Sequence, residues 1–220
     1  LLLGQAEQLT ARMQALVSEN PVIRLGTPPM MATLIFPRLL RAFSARHPDI
    51  RVEMMEHGSL ANRSLLLEGR LDAALISAAA TPPATFGYRE LGLADICFYV
   101  SRHHALAARP FLCPEDVQDT PLVLLGEDSF LASFVTRYFG EHGMSPRILL
   151  RTSQLATIRR LIESNTAATF LFDQVLEETG DIVKLPVRGF PPVPMFLIWN
   201  AGEPVSSATR KLIRLTEKGF

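Results

Sequence analysis

An α/β fold made of two lobes, each a parallel sheet with helices on its faces, is predicted by three observations. Residues 22–77 alternate short apolar runs with amphipathic stretches in the order strand, helix, strand, helix, strand. A second set in the same order follows from residue 122 to residue 171. Between the two sets the segment at 78–83, AAATPP, breaks all periodicity. Two consecutive right-handed βαβ units in each half require parallel strands and face-covering helices.

The first strand, Val22 to Gly26, is apolar and ends in glycine. Leu34, Ile35, Leu39, Leu40 and Phe43 then recur at helical spacing, and the apolar surface of that helix is read as running from Met31 to Arg46. His47-Pro48-Asp49 stops it, because proline cannot continue the ladder and pushes its predecessor out of the helical region. The chain re-enters as a strand from Ile50 to Glu56. Ser59 is a suitable N-cap for the next helix, whose stripe is Leu60, Leu65, Leu66 and Leu67, and Gly69 ends it before the buried run Ala73 to Ile76.

In the second half, strands are expected at Tyr88 to Leu93, Ile96 to Ser101, Pro121 to Leu125, Ile148 to Leu150 and Ala167 to Leu171. Helices are expected at Phe130 to His142 and Gln154 to Ser164, with a short one at Pro114 to Val117. Asn165 stands in a turn that needs positive φ, which asparagine tolerates better than other non-glycine residues. The tail supplies an edge strand from Asp181 to Leu185, a rigid Pro191-Pro192-Val193-Pro194 connector, a strong strand from Met195 to Trp199 and a terminal helix from Pro204 to Lys218. Ahead of everything, residues 1–19 place Leu2, Ala6, Leu9, Met13, Leu16 and Val17 on one stripe. Gln5, Glu7, Gln8 and Arg12 interrupt the apolar run, so it does not read as a signal peptide.

Bulk composition narrows the function. The chain has 220 residues, 48% of them apolar and 20% charged, with 22 basic against 22 acidic side chains and no long basic cluster. Nothing here supplies the phosphate neutralisation on which duplex binding rests, and no helix-turn-helix pattern occurs. The five histidines show no metal-ligand spacing, and no nucleophile, phosphate-loop or dinucleotide motif appears, so no metal, cofactor or catalytic role is expected. Cys97 reads as a small buried hydrophobe and Cys113 as a loop residue; neither has a cationic neighbour in sequence to favour the thiolate. With no disulfide pattern the cytoplasm is the natural compartment.

Ligands of open parallel sheets lie beyond the carboxyl ends of the strands. That rule selects Thr27, Pro29 and Met30 after the first strand, Ser77 after the third, Gly126, Ser129 and Phe130 after the fourth βα junction, Thr152 and Ser153 before the Gln154 helix, and Phe172. Free N–H groups at the helix starts after residues 29, 129 and 153 favour an anion, while Pro29 and Met30 add apolar surface, so a carboxylate with an apolar or aromatic body suits this set. Ser77 has two readings, a ligand contact or a hydroxyl satisfying its own strand end. Thr152 and Ser153 fit an N-cap role, which would use one of them. Glu127 and Asp128 either enter the cleft or stabilise the following helix from its solvent side.

The strand-Gly start with Pro37 eleven residues on, the HPDIRVEM run at 47–54, the EGRLDAALIS run at 68–77, the loop Ser101 to Ala107 and the Arg151 to Gln154 run stand in register. In that order they resemble the effector-binding domain of LysR-type transcriptional regulators. The resemblance implies a type 2 periplasmic-binding-protein-like architecture with two crossover strands, near residues 91–95 and 193–197. It implies lobe I at 21–92 and 196–220, lobe II at 93–195, and a linker and dimerisation helix remnant at 1–20. It implies a small organic effector bound between the lobes, with Ser77 at the position where a hydroxyl touches effector, and DNA contact only through a helix-turn-helix missing from this sequence. A homodimer is expected, with a tetramer as the other option for the full-length form. In it the helix Met31 to Arg46 of one subunit meets the helix Phe130 to His142 of the other, because Phe130, Phe134 and Tyr138 form a second apolar stripe beside Leu131, Val135 and Phe139. The alternatives are a transport solute-binding protein of the same architecture and an enzyme on the same fold.

Overall fold

The computed structural model describes residues 21–178, 180–217 and 219. The amphipathic segment expected over residues 1–20 lies outside the described residues. Ten strands and six helices follow in chain order: β1 (Val22–Thr27), α1 (Pro29–Leu34), α2 (Phe36–Arg46), β2 (Arg51–Glu56), α3 (Ser59–Leu67), β3 (Ala73–Ser77), β4 (Phe86–Ala94), β5 (Ile96–Ser101), β6 (Leu122–Leu124), α4 (Phe130–Glu141), β7 (Ile148–Arg151), α5 (Leu155–Glu163), β8 (Thr169–Phe172), β9 (Ile182–Pro186), β10 (Val193–Asn200) and α6 (Ser207–Glu217). A single 3-10 turn covers Pro114–Val117.

The first sheet runs β2-β1-β3-β10-β4, with β1 parallel to β2 and β3, and β10 antiparallel to both β3 and β4. In the second half β6 and β7 are parallel, a parallel bridge joins Leu122 to Ala168 beside β8, and β5 lies antiparallel between β8 and β9. The order β7-β6-β8-β5-β9 therefore repeats that of the first sheet. Thr169 Oγ1 fastens the β6/β8 junction by donating to the Val123 carbonyl at 2.6 Å, fully buried. Two lobes of equal topology result, as expected, and the chain passes between them from β4 to β5 and from β9 to β10.

Burial explains the elements. β3, β5, β6 and β8 are buried at every position, which is why they read as continuous apolar runs. Lobe I closes over Ile23, Leu25, Leu39, Phe43 and Leu75; lobe II packs Phe98, Phe139 and Phe170, with ring centroids of Phe98 and Phe170 4.8 Å apart. Asn165 adopts φ 53°, so the turn before β8 is made as its side chain allows.

Several boundaries differ from expectation; β10 already begins at Val193, inside the connector expected at 191–194, and three differences bear on the helix starts. The stretch from Met31 to Arg46 is two helices, broken at Ile35, because Pro37 has no N–H to offer the Thr33 carbonyl and sits instead in the first turn of α2. Ser59 is not the N-cap of α3; Gly58 is, and Ser59 is already helical. Neither Thr152 nor Ser153 caps α5, whose N-cap is Gln154. Each serine or threonine was one or two positions from the cap, a margin that a sequence pattern does not resolve.

Candidate functional site

In lobe I the carboxyl ends of β1 and β3 bring Thr27 and Ser77 to the same sheet margin, both buried. Thr27 Oγ1 has no hydrogen-bond partner among the described residues. Ser77 is tied to α3: its N–H donates to Ser59 Oγ at 3.0 Å, and the two hydroxyl oxygens lie 3.2 Å apart. Either hydroxyl can donate across that contact, and the other keeps its proton for a further acceptor. The strand-end reading of Ser77 fits this contact, with its backbone N–H satisfied by Ser59 and one proton of the hydroxyl pair left over. Beside the pair, Asn62 is fully buried and donates to the carbonyls of His57 at 3.1 Å and Leu75 at 3.4 Å. Neither Ser59, read from the sequence only as a helix cap, nor Asn62 was counted among the site residues.

The start of α1 is poor in donors. Its N-cap is Pro28 and its first residue Pro29, neither of which has an N–H, so the anion-favouring character expected there is reduced to Met30 and Met31. Pro29 and Met30 are buried. Met30 reaches lobe II, where its Sδ accepts the N–H of Phe172 at 3.4 Å. Phe172 is fully buried, and its carbonyl accepts from the Tyr99 hydroxyl at 3.1 Å.

Across from these, Ser129 caps α4, its Oγ accepting the Ala132 N–H at 3.4 Å. A tight turn precedes it, with the Ser129 N–H on the Gly126 carbonyl at 2.9 Å. Gly126 brings the two lobe II loops together, since a Cβ there would stand 3.0 Å from Asp128 Oδ1 and 3.2 Å from Ser153 Oγ. Thr152 Oγ1 accepts the Gln154 N–H at 3.2 Å and so shapes the turn into α5. Phe130 stacks on Phe134 within α4, with centroids 6.0 Å apart. The structure therefore links Met30 to Phe172 and sets Gly126 close to Ser153.

Glu127 and Asp128 take different paths. Glu127 is exposed and lines a groove between α4 and β7 with Ser133, Arg137 and Arg151. Asp128 turns to the opposite lobe, where its Oδ2 accepts the Gly58 N–H at 2.6 Å. The N-terminus it stabilises is that of α3, not of α4, because Ser129 already serves α4.

Nothing in the site resembles an activated thiol or a metal cage. Burial pushes the Cys97 thiol up to about 11, which keeps it protonated and unreactive at neutral pH. No cluster of three histidine, cysteine or carboxylate side chains with metal-binding geometry occurs among the described residues, and no helix there is long and apolar enough to cross a membrane.

The LysR substrate-binding-domain model matches residues 18–220. This chain belongs to that family. Among curated relatives it is 24% identical to the uncharacterised HTH-type transcriptional regulator YwbI of Bacillus subtilis over 89% of this chain and 65% of that protein. It is 22% identical to the Hca operon transcriptional activator HcaR of Escherichia coli, over 99% of this chain and 74% of that one. With the transcriptional activator LysR of Escherichia coli it shares 25% identity, across 43% of that protein. The chain thus spans about two thirds or less of YwbI and LysR. The solved effector-binding domain of QuiR in complex with shikimate superimposes with a TM-score of 0.76 at 16% identity, covering 90% of this chain and 96% of that one. The regulatory domain of Synechocystis CcmR in complex with 2-PG gives 0.77 at 19%, with the same coverages. These domains share the two-lobed, type 2 periplasmic-binding-protein-like fold. The named relatives are transcriptional regulators, not transport receptors or enzymes.

Proposed function

We propose that this chain is the effector-sensing part of a LysR-type transcriptional regulator and binds a small organic acid between its lobes. The observation that carries this reading is the pair of buried hydroxyls at the lobe I strand ends. Thr27 Oγ1 is unpartnered among the described residues, and the Ser59–Ser77 hydroxyl pair has one proton beyond the bond that joins it. Two donors in a dry setting suit an acceptor such as a carboxylate. Pro29, Met30, Phe130 and Phe172 supply apolar walls, Gly126, Ser129, Thr152 and Ser153 the polar margin of lobe II, and binding biases the relative populations of lobe arrangements. DNA contact belongs to a helix-turn-helix elsewhere in the whole protein; the even charge balance of these residues leaves them little affinity of their own.

Small acids of the kind named with related domains, shikimate and benzoate among them, are the first ligands to test. A ligand at a hundred times its Kd stabilises the folded state by about 2.7 kcal/mol. For a chain of this size that is a rise in Tm of roughly 5–10 °C. Ser77→Ala should weaken the same ligand about tenfold or more in calorimetry, the equivalent of one hydrogen bond to a charged group. A flat thermal response to a broad panel of small carboxylates overturns the reading; a hit whose affinity is untouched by Ser77→Ala removes that residue from the site.

We also propose a homodimer. The second stripe of α4 is partly covered within the chain, since Phe134 and Tyr138 pack on Phe190 with centroids 5.1 and 4.8 Å away. Exposed apolar side chains stand instead on the edge strands, Met54 on β2 and Leu149 and Leu150 on β7, next to α4 and its groove. An edge strand with apolar side chains is a pairing surface. Light scattering at micromolar concentration should report a dimer, and Leu149→Glu should shift it towards monomer. A monomeric wild-type chain contradicts the proposal.

A further inference from the structure

We propose that Asp128 is an interlobe latch that holds lobe II onto lobe I, working across a hinge at Gly92. Gly58, the N-cap of α3, offers no capping side chain, so the first N–H groups of that helix need a partner from elsewhere. Asp128, seventy positions on and in the other lobe, supplies it twice: Oδ2 takes the Gly58 N–H at 2.6 Å and the backbone carbonyl takes the Leu60 N–H at 3.1 Å. The fit is close enough that a Cβ on Gly58 would collide with the Asp128 carbonyl group. A second cross-lobe bond, the Phe172 N–H on Met30 Sδ, lies on different elements, β8 and α1. Closure is therefore fastened at two separate places.

The crossing strand shows where the lobes can turn. The pairing of β4 with β10 slips between Met195 opposite Gly92 and Phe196 opposite Glu90, a bulge at Leu91. Gly92 there has φ 131°, a value that L side chains rarely adopt, although nothing lies within 4 Å of where its Cβ would be. Backbone geometry, not crowding, accounts for the glycine. Two residues later β4 ends at Ala94 and the chain enters lobe II at Ile96. A bulge with positive φ at the boundary of two sheets is a place where a small dihedral change becomes a rotation of one lobe.

This latch involves no ligand, so its test does not depend on the effector reading. Amide exchange should be followed by NMR at Gly58, Leu60 and Phe172 in the unmodified chain, in Asp128→Ala and in Gly58→Ala. Gly58 has φ −66° and ψ 164°, which alanine adopts freely, so Gly58→Ala breaks the contact from the lobe I side without straining its own backbone. Both variants should speed exchange at Gly58 and Leu60 roughly five- to thirtyfold, the effect of one lost cap. Both should also speed it at Phe172, which touches neither substituted residue. Faster exchange at Gly58 and Leu60 with Phe172 as protected as before makes Asp128 a helix cap only and overturns the latch. Unchanged exchange at all three amides overturns it as well. Should Asp128→Ala fail to fold, Gly58→Ala decides by the same readout.

Discussion

Phe170→Ala is expected to lower stability by about 3–5 kcal/mol, the usual range for emptying a large aromatic site in a packed core. Phe170 is buried in β8 and meets three rings from three directions: Phe98 of β5 at 4.8 Å, Phe190 of the β9–β10 connector at 5.6 Å and Phe139 of α4 at 6.3 Å between centroids. No neighbour can relax into the vacancy without leaving another contact, because each of the three belongs to a different element. Urea denaturation followed by circular dichroism measures the change. A loss below about 1.5 kcal/mol would mean that the lobe repacks, and the aromatic cluster would then not be the keystone of lobe II.

Thr169→Val should cost about 1–3 kcal/mol, although the two side chains are nearly the same size. Its hydroxyl gives the fully buried 2.6 Å bond to the Val123 carbonyl, at the junction where β6 and β8 otherwise share only an isolated bridge and its backbone bonds. Valine keeps the packing and removes the donor, leaving that carbonyl oxygen without its side-chain partner in a dry place. The comparison variant is Thr169→Ser, which retains the hydroxyl and loses a methyl group. Serine recovering most of the loss would assign the effect to the bond; serine behaving like valine would assign it to volume.

Much of the fold was legible because punctuation residues act locally. Pro48 ended a helix, Gly69 ended another at φ 69°, and the short apolar runs at 73–76 and 96–100, bounded by turn signals, read as strands buried on both faces. Proline also explains the error at Ile35, where the apolar spacing runs straight through Pro37 and hides the break it imposes. The candidate site was less legible. Strand ends could be counted from the sequence, and they lead to Thr27, Ser77 and Phe172. What those residues bond to could not be counted: Ser59 on Ser77 is a contact over 18 positions, Met30 on Phe172 one over 142, and Asp128 on Gly58 one over 70. Such partners are chosen by how two sheets face each other, information that no local spacing contains. Asp128 is the clearest case, since acidic residues just before a helix ordinarily serve that helix, and here Ser129 had already taken the role.

Lobe I borrows a strand from the far end of the chain. β10, from residues 193–200, lies between β3 and β4 in the first sheet, while β5 lies between β8 and β9 as the first strand of its own lobe. The strands of lobe I are thus not one continuous piece, whereas those of lobe II, β5 to β9, follow one another without interruption, so no fragment that stops short of β10 contains lobe I whole. A fragment ending before residue 193 would leave β3 and β4 with unpaired edges facing each other across an empty lane, an invitation to pair with other molecules. Synthesis must reach almost the end before lobe I can close its sheet, and the loops that closure ties off are long. Lobe II, by contrast, has all of its strands in hand by residue 186, before the last strand of lobe I has been made.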